Sequence, residues 1–367
     1  MSKTLYIDEN VNDGIKKFLR CILENGKVKG VLTLINEGEK IAYSLISNPE
    51  LIKYTVPLYP IMPLNAARSL SHITLSEPIS EPIAVVIKPC EIRAFIELVK
   101  RSQGSVENIF FISFTCGGVY PIKMNVNGKI NEKIDNFWRL IEKNEIDADL
   151  RTSCKVCKEF IPYNTDMTIF LAGNREINNQ CRIFLNTDKA EDFAESTDGN
   201  IVQDKINTEL IDELKVKRLE ERKKLFEDKK IEKLGLEGLI DIFGRCISCH
   251  ACGNACPICY CSLCYFDSQE SEYKPVDYES ELEKRGAIRV PPNTVTYQVG
   301  RLIHVGISCV GCGCCEDVCP SEIQLSTIFI KGSESIQEKF NYIPGKNPEE
   351  LIPISTFDIK EFPEVET

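Results

Sequence analysis

The sequence predicts a mixed α/β unit over residues 1–203, followed by a small α+β, cysteine-rich unit over residues 235–331. Three observations carry that reading. Apolar residues recur with alternating helical and strand periodicity through the first two hundred positions. Two copies of C-x2-C-x2-C-x3-C-P occupy residues 246–257 and 309–320, and a charged helical stretch over residues 204–234 separates the two units. A chain of 367 residues with 43% hydrophobic content is long enough to bury more than one core.

Residues 14–24 place Ile15, Phe18, Leu19 and Ile22 on one helical face, and residues 30–35 then read as a strand. Residues 82–87 form a short β-branched run suited to a buried strand. A helix follows over residues 90–100, with Ile92, Phe95, Ile96 and Val99 at helical spacing. A second buried strand, residues 108–114, delivers the chain to Cys116 and the turn residues Gly117 and Gly118, and residues 167–172 read as a further apolar strand. Two of these strands end within a few residues of a cysteine. Residues 204–242 set Ile206, Leu210, Leu214, Leu225, Ile231 and Leu234 among Lys and Glu, as expected of a connector packed on one face. The segment 332–367, rich in Glu, Pro and Lys, is expected as a surface tail.

The N-terminus has no basic and apolar secretory pattern, and no apolar stretch approaches the ~18 residues that span a bilayer. The expected location is therefore the cytoplasm, with no membrane span. In such a reducing compartment 18 cysteines make a poor disulfide framework, and their tight local spacing points to metal. The first run is Cys246, Cys249, Cys252 and Cys256 before Pro257; the second is Cys309, Cys312, Cys315 and Cys319 before Pro320. Three closely spaced thiolates hold three irons of a cubane, and in two-cluster ferredoxins the fourth cysteine ligates the other cluster. The expected sets are Cys246, Cys249, Cys252, Cys319 and Cys309, Cys312, Cys315, Cys256. Residues 235–331 thus read as a dicluster 4Fe-4S ferredoxin-like domain with an insertion at residues 258–308. Paired zinc sites are the alternative, but tetrahedral zinc takes four ligands and leaves the third C-x2 step and the x3-C-P ending unexplained.

Cys259, Cys261, Cys264 and Cys314 are spare thiols, expected either to pack as small apolar groups beside a cubane or to hold a further cluster. Residues 297–301, just before the second run, are expected to cover or dock a cluster. His250, between Cys249 and Cys252, is expected as a partly solvated neighbour, with hydrogen bonding to a cluster as its other role. His72 and His304 join no constellation with it. A formal net charge of -11 argues against nucleic acid and suits docking to basic patches on redox partners.

The N-terminal unit carries Lys88-Pro89-Cys90-Glu91, then Cys116, then Cys154-Lys155-Val156-Cys157-Lys158. On spacing alone Cys154 and Cys157 fit a zinc half-site or a redox pair, and Cys90 a packing residue. With Tyr163-Asn164-Thr165-Asp166 leading into a strand that closes at Gly173, and the Lys/Glu-rich helix after Asp204, these motifs resemble the beta-subunit family of deazaflavin-reducing hydrogenases and formate dehydrogenases. Those are flavoproteins that exchange electrons with coenzyme F-420, and the match runs over residues 14–228. The resemblance implies that Cys90, Cys116, Cys154 and Cys157 together hold one 4Fe-4S cluster beside FAD, with Pro60, Pro63, Asn65 and Gly173 as flavin contacts. It implies a hydride-carrying coenzyme and a hydrogenase or formate dehydrogenase catalytic subunit as partners. The resemblance further implies, from the appended ferredoxin domain, an arrangement like that of relatives that feed heterodisulfide-reductase-like complexes.

Where that family has a glycine-rich stretch after Gly173, this chain has Asn174-Arg175-Glu176-Ile177-Asn178-Asn179. No G-x-G-x-x-G occurs, so a Rossmann-type dinucleotide site is not supported. Neither is hydrolytic chemistry, since no Ser-His-Asp or carboxylate-dyad pattern is present. The expected function is an oxidoreductase subunit in which FAD exchanges a hydride with a deazaflavin or nicotinamide-type carrier and single electrons pass through 4Fe-4S clusters to a partner. The alternative is a flavin-free, polyferredoxin-like wire, which the missing glycines favour. Cys21 and Cys181 have no assigned role.

Overall fold

In the computed structural model, which describes residues 2–37, 40–126, 130–204, 208–229, 235–288 and 290–355, the β-branched and aromatic runs of the N-terminal unit assemble into one eight-stranded sheet. The strands are β1 (Ser2–Ile7), β2 (Gly30–Glu37), β3 (Lys40–Ile46), β4 (Ile83–Val86), β5 (Ile109–Phe114), β6 (Met167–Ile169), β7 (Cys181–Leu185) and β8 (Asn200–Asp204), in the order β3-β2-β4-β5-β6-β7-β1-β8. The centre, β2-β4-β5-β6, is parallel; β3 on one side and β7-β1-β8 on the other pair antiparallel. Both faces of the parallel centre are covered, which is why its strands read as unbroken apolar runs. Ala84, Val86, Phe110 and Ile112 join one core, and Ile83, Val85, Ile109 and Phe111 the other.

The helices of this unit are α1 (Val11–Glu24), α2 (Ala66–Thr74), α3 (Pro89–Val99), α4 (Ile122–Val126), α5 (Ile130–Glu142), α6 (Thr152–Lys155) and α7 (Asp188–Glu195). α1, α5 and α7 cover the first core, α2 and α3 the second. α1 starts where the Asn10 side chain accepts from the Asn12 and Asp13 N–H groups, both at 3.1 Å, and buries Val11, Ile15, Phe18, Leu19 and Ile22. α3 starts with Pro89 at its first position, where a missing N–H costs nothing, and the Glu91 carboxylate accepts from Lys88 N at 2.9 Å.

The remaining helices are α8 (Glu209–Lys229), α9 (Gly235–Phe243), α10 (Ala251–Asn254), α11 (Pro275–Arg285), α12 (Thr294–Val305), α13 (Cys314–Asp317) and α14 (Leu325–Lys339). α8 packs by a narrow stripe of Ile211, Leu214, Arg218 and Arg222. Ile206, Ile231 and Leu234 lie outside the described residues. No strand occurs among the described residues after Asp204, so the expected α+β character of the C-terminal unit is corrected to helical. Each cysteine run closes into a short helix, α10 or α13, and the flanking segments carry helical rather than alternating apolar spacing.

The cysteine-rich unit has no core of its own on the sheet side. Phe243, Cys252, Ile258, Tyr297, Ile323, Leu325 and Phe329 pack in the same cluster as Ala66, Leu70, Phe95, Ile96 and Phe111. Residues 340–355 do not behave as a surface tail either: Tyr342 and Ile352 are 2% and 4% exposed. The Tyr342 hydroxyl and the Gly345 N–H donate to Glu97 Oε1 at 2.5 and 2.8 Å, and Arg93 Nε donates to Pro344 O at 2.8 Å. Gly345 turns with φ +69° where a Cβ would run into the Arg93 backbone, so the chain closes onto α3 only with glycine there.

Candidate metal centres

Cys90 and Cys116 stand just beyond the carboxyl ends of the neighbouring parallel strands β4 and β5, the edge at which α/β sheets place ligands. Cys116 is fixed by its N–H on Phe160 O at 2.8 Å, and Cys154 and Cys157 arrive on and after α6. Cys90, Cys116 and Cys154 act on one another in a buried place, and Cys157 joins them through Cys154. Burial pushes Cys90 well above its ordinary range, with Cys312, Glu91, Cys116 and Cys154 adding to it. Burial, with Cys154 beside it, takes Cys116 up to about 12. Cys154 is likewise raised by burial, with Cys157 adding and Arg151 opposing.

Thiolates in such a place need positive charge, from a metal or from cations. Buried cations are supplied. Arg218, 2% exposed, donates through Nη2 to Cys116 O at 2.9 Å and Gly117 O at 3.1 Å, while its Nε has no hydrogen-bond partner. Arg151 donates to Met62 O at 2.7 Å, pairs with Asp317, and sets Nη1 3.7 Å from Cys314 Sγ; its Nε is also unpartnered. Burial works against the Arg151 charge, but Cys314, Asp317, Cys154 and Cys312 outweigh it and hold its pKa above the ordinary range. Guanidiniums with spare donors facing thiols fit an anionic iron-sulfur cluster. Among the described residues no three His, Cys, Asp or Glu side chains converge on a single metal ion. A tetrahedral zinc would bring its sulfurs within about 3.8 Å of one another, whereas a cubane holds its four thiolates further apart.

The two ferredoxin runs share a backbone path. Ser248 and His250, with φ of 54° and 56°, occupy the positions that Gly311 and Gly313, at 68° and 76°, take in the second run. A left-handed residue on each side of the middle cysteine curls both loops, and non-glycine residues accept that conformation in the first run only. α10 and α13 pack against each other, and Cys256 of the first run lines one small cavity with Cys309, Cys312 and Cys315 of the second. The structure therefore brings Cys256 to the expected crossed set.

α12 lies over the first run. Arg301 Nη1 reaches Cys252 Sγ at 3.1 Å and its Nη2 donates to Cys252 O at 3.1 Å, while Gln298 Nε2 lies 3.6 Å from Cys252 Sγ and 3.8 Å from Cys246 Sγ. Arg301 stacks over Phe329 and Tyr297 and leaves its Nε unpartnered. His250 bonds Asp267 through Nδ1 at 2.7 Å and stacks on Tyr297 with ring centroids 4.2 Å apart.

The spare thiols do not form one set. Cys314 is buried, with Sγ 3.4 Å from Met62 Sδ. A hydrogen bond between Cys256 and Cys259 draws Cys259 down to about 6 and raises Cys256, and Cys261 is exposed. Cys181 is fully buried against Gly14, and Cys21 donates to Ser196 O at 2.9 Å, so both belong to the packing of the N-terminal sheet. The four residues expected at a flavin stand in separate local settings. Asn65 caps α2 and turns its other side toward Cys312; Pro60 accepts from Tyr120 N; Pro63 is half-buried; Gly173, φ +87°, packs on Ile211 and Phe170. A cleft of about 550 Å³ opens beside Thr115, lined by Ile161, Phe184 and Ile211 on its apolar side and by Asn164, Asp166 and Asn186 on its polar side.

Met62, Arg151, Arg218 and Asp317 were not legible as site residues. Arg151 stands three positions before Cys154, which is a weak hint, and Arg218 is one cation among many on α8.

No family model matches the chain. The F420-dependent formate dehydrogenase subunit beta of Methanocaldococcus jannaschii is 28% identical over 371 residues, covering 90% of this chain and 91% of that protein. The F420-dependent formate dehydrogenase 1 subunit beta of Methanococcus maripaludis is 27% identical over 380 residues, covering 91% of each. Both relatives are beta subunits of F420-dependent formate dehydrogenases, and the chain is similar to them over nearly its whole length. The similarity spans both units, since a match leaving only about a tenth of the chain outside takes in every cysteine from Cys90 to Cys319. A coenzyme F420-dependent sulfite reductase of M. jannaschii aligns at 23% identity over 57% of this chain but 38% of that protein. Among solved structures, a chain of the F420-reducing [NiFe] hydrogenase complex from Methanosarcina barkeri covers 65% of this chain and 94% of its own length, at 13% identity and a TM-score of 0.42, too distant to carry an argument. No helix among the described residues is long and apolar enough to cross a membrane.

Proposed function

We propose that this chain is the electron-transfer subunit of an oxidoreductase complex, one that exchanges a hydride with a deazaflavin or nicotinamide-type carrier by way of FAD and relays single electrons through 4Fe-4S clusters to a partner subunit. The partner is of formate dehydrogenase, hydrogenase or heterodisulfide-reductase type. Cys90, Cys116, Cys154 and Cys157 hold one cluster; Cys246, Cys249, Cys252, Cys319 and Cys309, Cys312, Cys315, Cys256 hold the ferredoxin pair. The observation that carries the reading is the contiguity of these sets: Met62, Val119, Ala255 and Cys314 form one apolar cluster with Cys90, Cys154 and Cys312 packed against it. Bound FAD supplies the conversion between hydride and single electrons. The chain's own residues hold the thiolates dry, balance their charge through Arg151, Arg218 and Arg301, and keep the centres within one packed body.

An anaerobic titration of the purified protein with reduced deazaflavin and, separately, NADH tests this. Bleaching of flavin and cluster absorbance by one of them is expected; bleaching by neither assigns the hydride chemistry to another subunit. The wire reading has one observation in its favour: the glycine-free segment after Gly173 is closed on itself, with Asn174 Nδ2 on Phe170 O at 3.0 Å and Asn174 Oδ1 accepting from Glu176 N at 2.9 Å. Acid extraction decides between them, because a wire releases no FAD.

A further inference from the structure

Two thiol sets of the same sequence pattern stand in unlike surroundings. The second run presses on the N-terminal unit. Cys312, Cys90 and Cys154 pack against one apolar cluster, and Gly313 passes so close to Ser153, beside Cys154, that a Cβ at position 313 would collide with Ser153 Oγ. Cys314 fills the gap with Met62, and Arg151 bridges it, facing Cys154 on one side and Cys312 and Cys314 on the other while pairing with Asp317 of α13. The first run is open to solvent at one edge. Cys249 is exposed, as are Arg245 and Ile247 beside it, Ile247 by 56%. No hydrogen bond among the described residues joins Cys246, Cys249 or Cys252 to Cys90, Cys116, Cys154 or Cys157, and the large cluster that holds Cys252 meets Cys90 only at its partly buried edge.

We propose that the two ferredoxin sets act in a fixed order, opposite to their order in the chain. The second-run set, Cys309/Cys312/Cys315/Cys256, is the inner centre, coupled to the N-terminal thiols across Met62, Cys314 and Arg151. The first-run set, Cys246/Cys249/Cys252/Cys319, is the outer centre, exchanging electrons with the partner at the Cys249 edge. This rests on the reading of the chain as a three-centre relay. Each step moves one electron: one centre is oxidised as the next is reduced, and a hydride's two electrons travel as two successive transfers. Electron-transfer rates fall steeply with the gap between centres, so contact at Cys312 and exposure at Cys249 set opposite ends of the pair.

The test is electron paramagnetic resonance on the full-length, cluster-loaded protein reduced with dithionite, with iron determined on the same samples. In the wild type, three centres in a row give spectra broadened by spin coupling. Cys249→Ala, which disables the outer centre, is expected to leave the N-terminal centre coupled to its neighbour. Cys312→Ala, which disables the inner one, is expected to leave it magnetically isolated. The reverse pattern overturns the order while the relay stands. Cys154→Ala samples that lose no iron overturn the relay itself, and the order with it. A wild-type measurement guards against variants that fail to fold: a soluble gadolinium chelate should speed the relaxation of one ferredoxin centre, and it should be the one not coupled to the N-terminal centre. Enhancement of the coupled centre instead refutes the proposal.

Discussion

Asp317→Asn probes the seam between the two cysteine-bearing units most sharply. Asp317 and Arg151 are each 5% exposed, and the carboxylate also accepts from Ile122 N with both oxygens at 3.0 Å. Asparagine keeps the shape and one acceptor for Ile122 but leaves the guanidinium without its carboxylate. Breaking a buried pair from one side costs about 3–5 kcal/mol. The Arg151 charge has a second source of compensation, because Cys154, Cys312 and Cys314 all face it. With clusters bound, the thiolates among these are anionic and offset part of the loss; without clusters Cys154 and Cys314, raised by their surroundings, are neutral thiols, and only Cys312, drawn down to about 6 by its bond from Cys314, retains charge. The expected destabilisation is therefore near the upper end of that range in the cluster-free protein and clearly smaller in the loaded protein. Anaerobic urea unfolding of wild type and variant, each with clusters and after chelation, measures it, and a 3 kcal/mol loss moves the midpoint by about 1–3 M. A cost below ~1 kcal/mol in both forms, or an equal cost in both, refutes the placement of Arg151 against cluster thiolates.

Arg301→Leu removes a buried positive charge 3.1 Å from Cys252 Sγ and should lower the reduction potential of the first-run centre, since the reduced, more negative state loses most; a potentiometric titration followed by spin resonance reads the shift, and an unchanged potential contradicts it. Gly345→Ala should cost more than ~1 kcal/mol and release residues 340–355 from Glu97, visible as faster proteolysis near the C-terminus, because φ +69° and the Arg93 backbone exclude a Cβ. Cys181, buried and raised to about 12, should resist alkylation at pH 8 until the protein unfolds, and Cys181→Ala should leave the iron content unchanged; rapid native labelling or lost iron would make it a site residue.

The parallel centre of the sheet was legible because strands buried on both faces must be apolar throughout, as residues 83–86 and 109–114 are. β1, β3, β7 and β8 were missed because they carry mixed residues such as Lys3, Ser44 and Arg182, whose pattern makes sense only once antiparallel neighbours are known. The paired loops were legible from their repeated spacing, and Cys256 lines one cavity with Cys309, Cys312 and Cys315. What covers them was only half legible: the segment from Tyr297 to Arg301 stood out, but Arg151 and Asp317 are ordinary charges in the sequence, brought together across 166 positions by packing alone. The C-terminal segment misled because its charge hides two anchors, Tyr342 and Gly345, whose partner Glu97 lies on α3.

The central claim is a third cluster in the N-terminal unit, joined to the ferredoxin pair. Iron per chain in the anaerobically purified protein and in Cys154→Ala tests it most directly. One four-iron cubane per four thiolates predicts about twelve irons in the wild type and about eight in the variant, while about eight in both would leave Cys90, Cys116, Cys154 and Cys157 without a cluster and contradict the account.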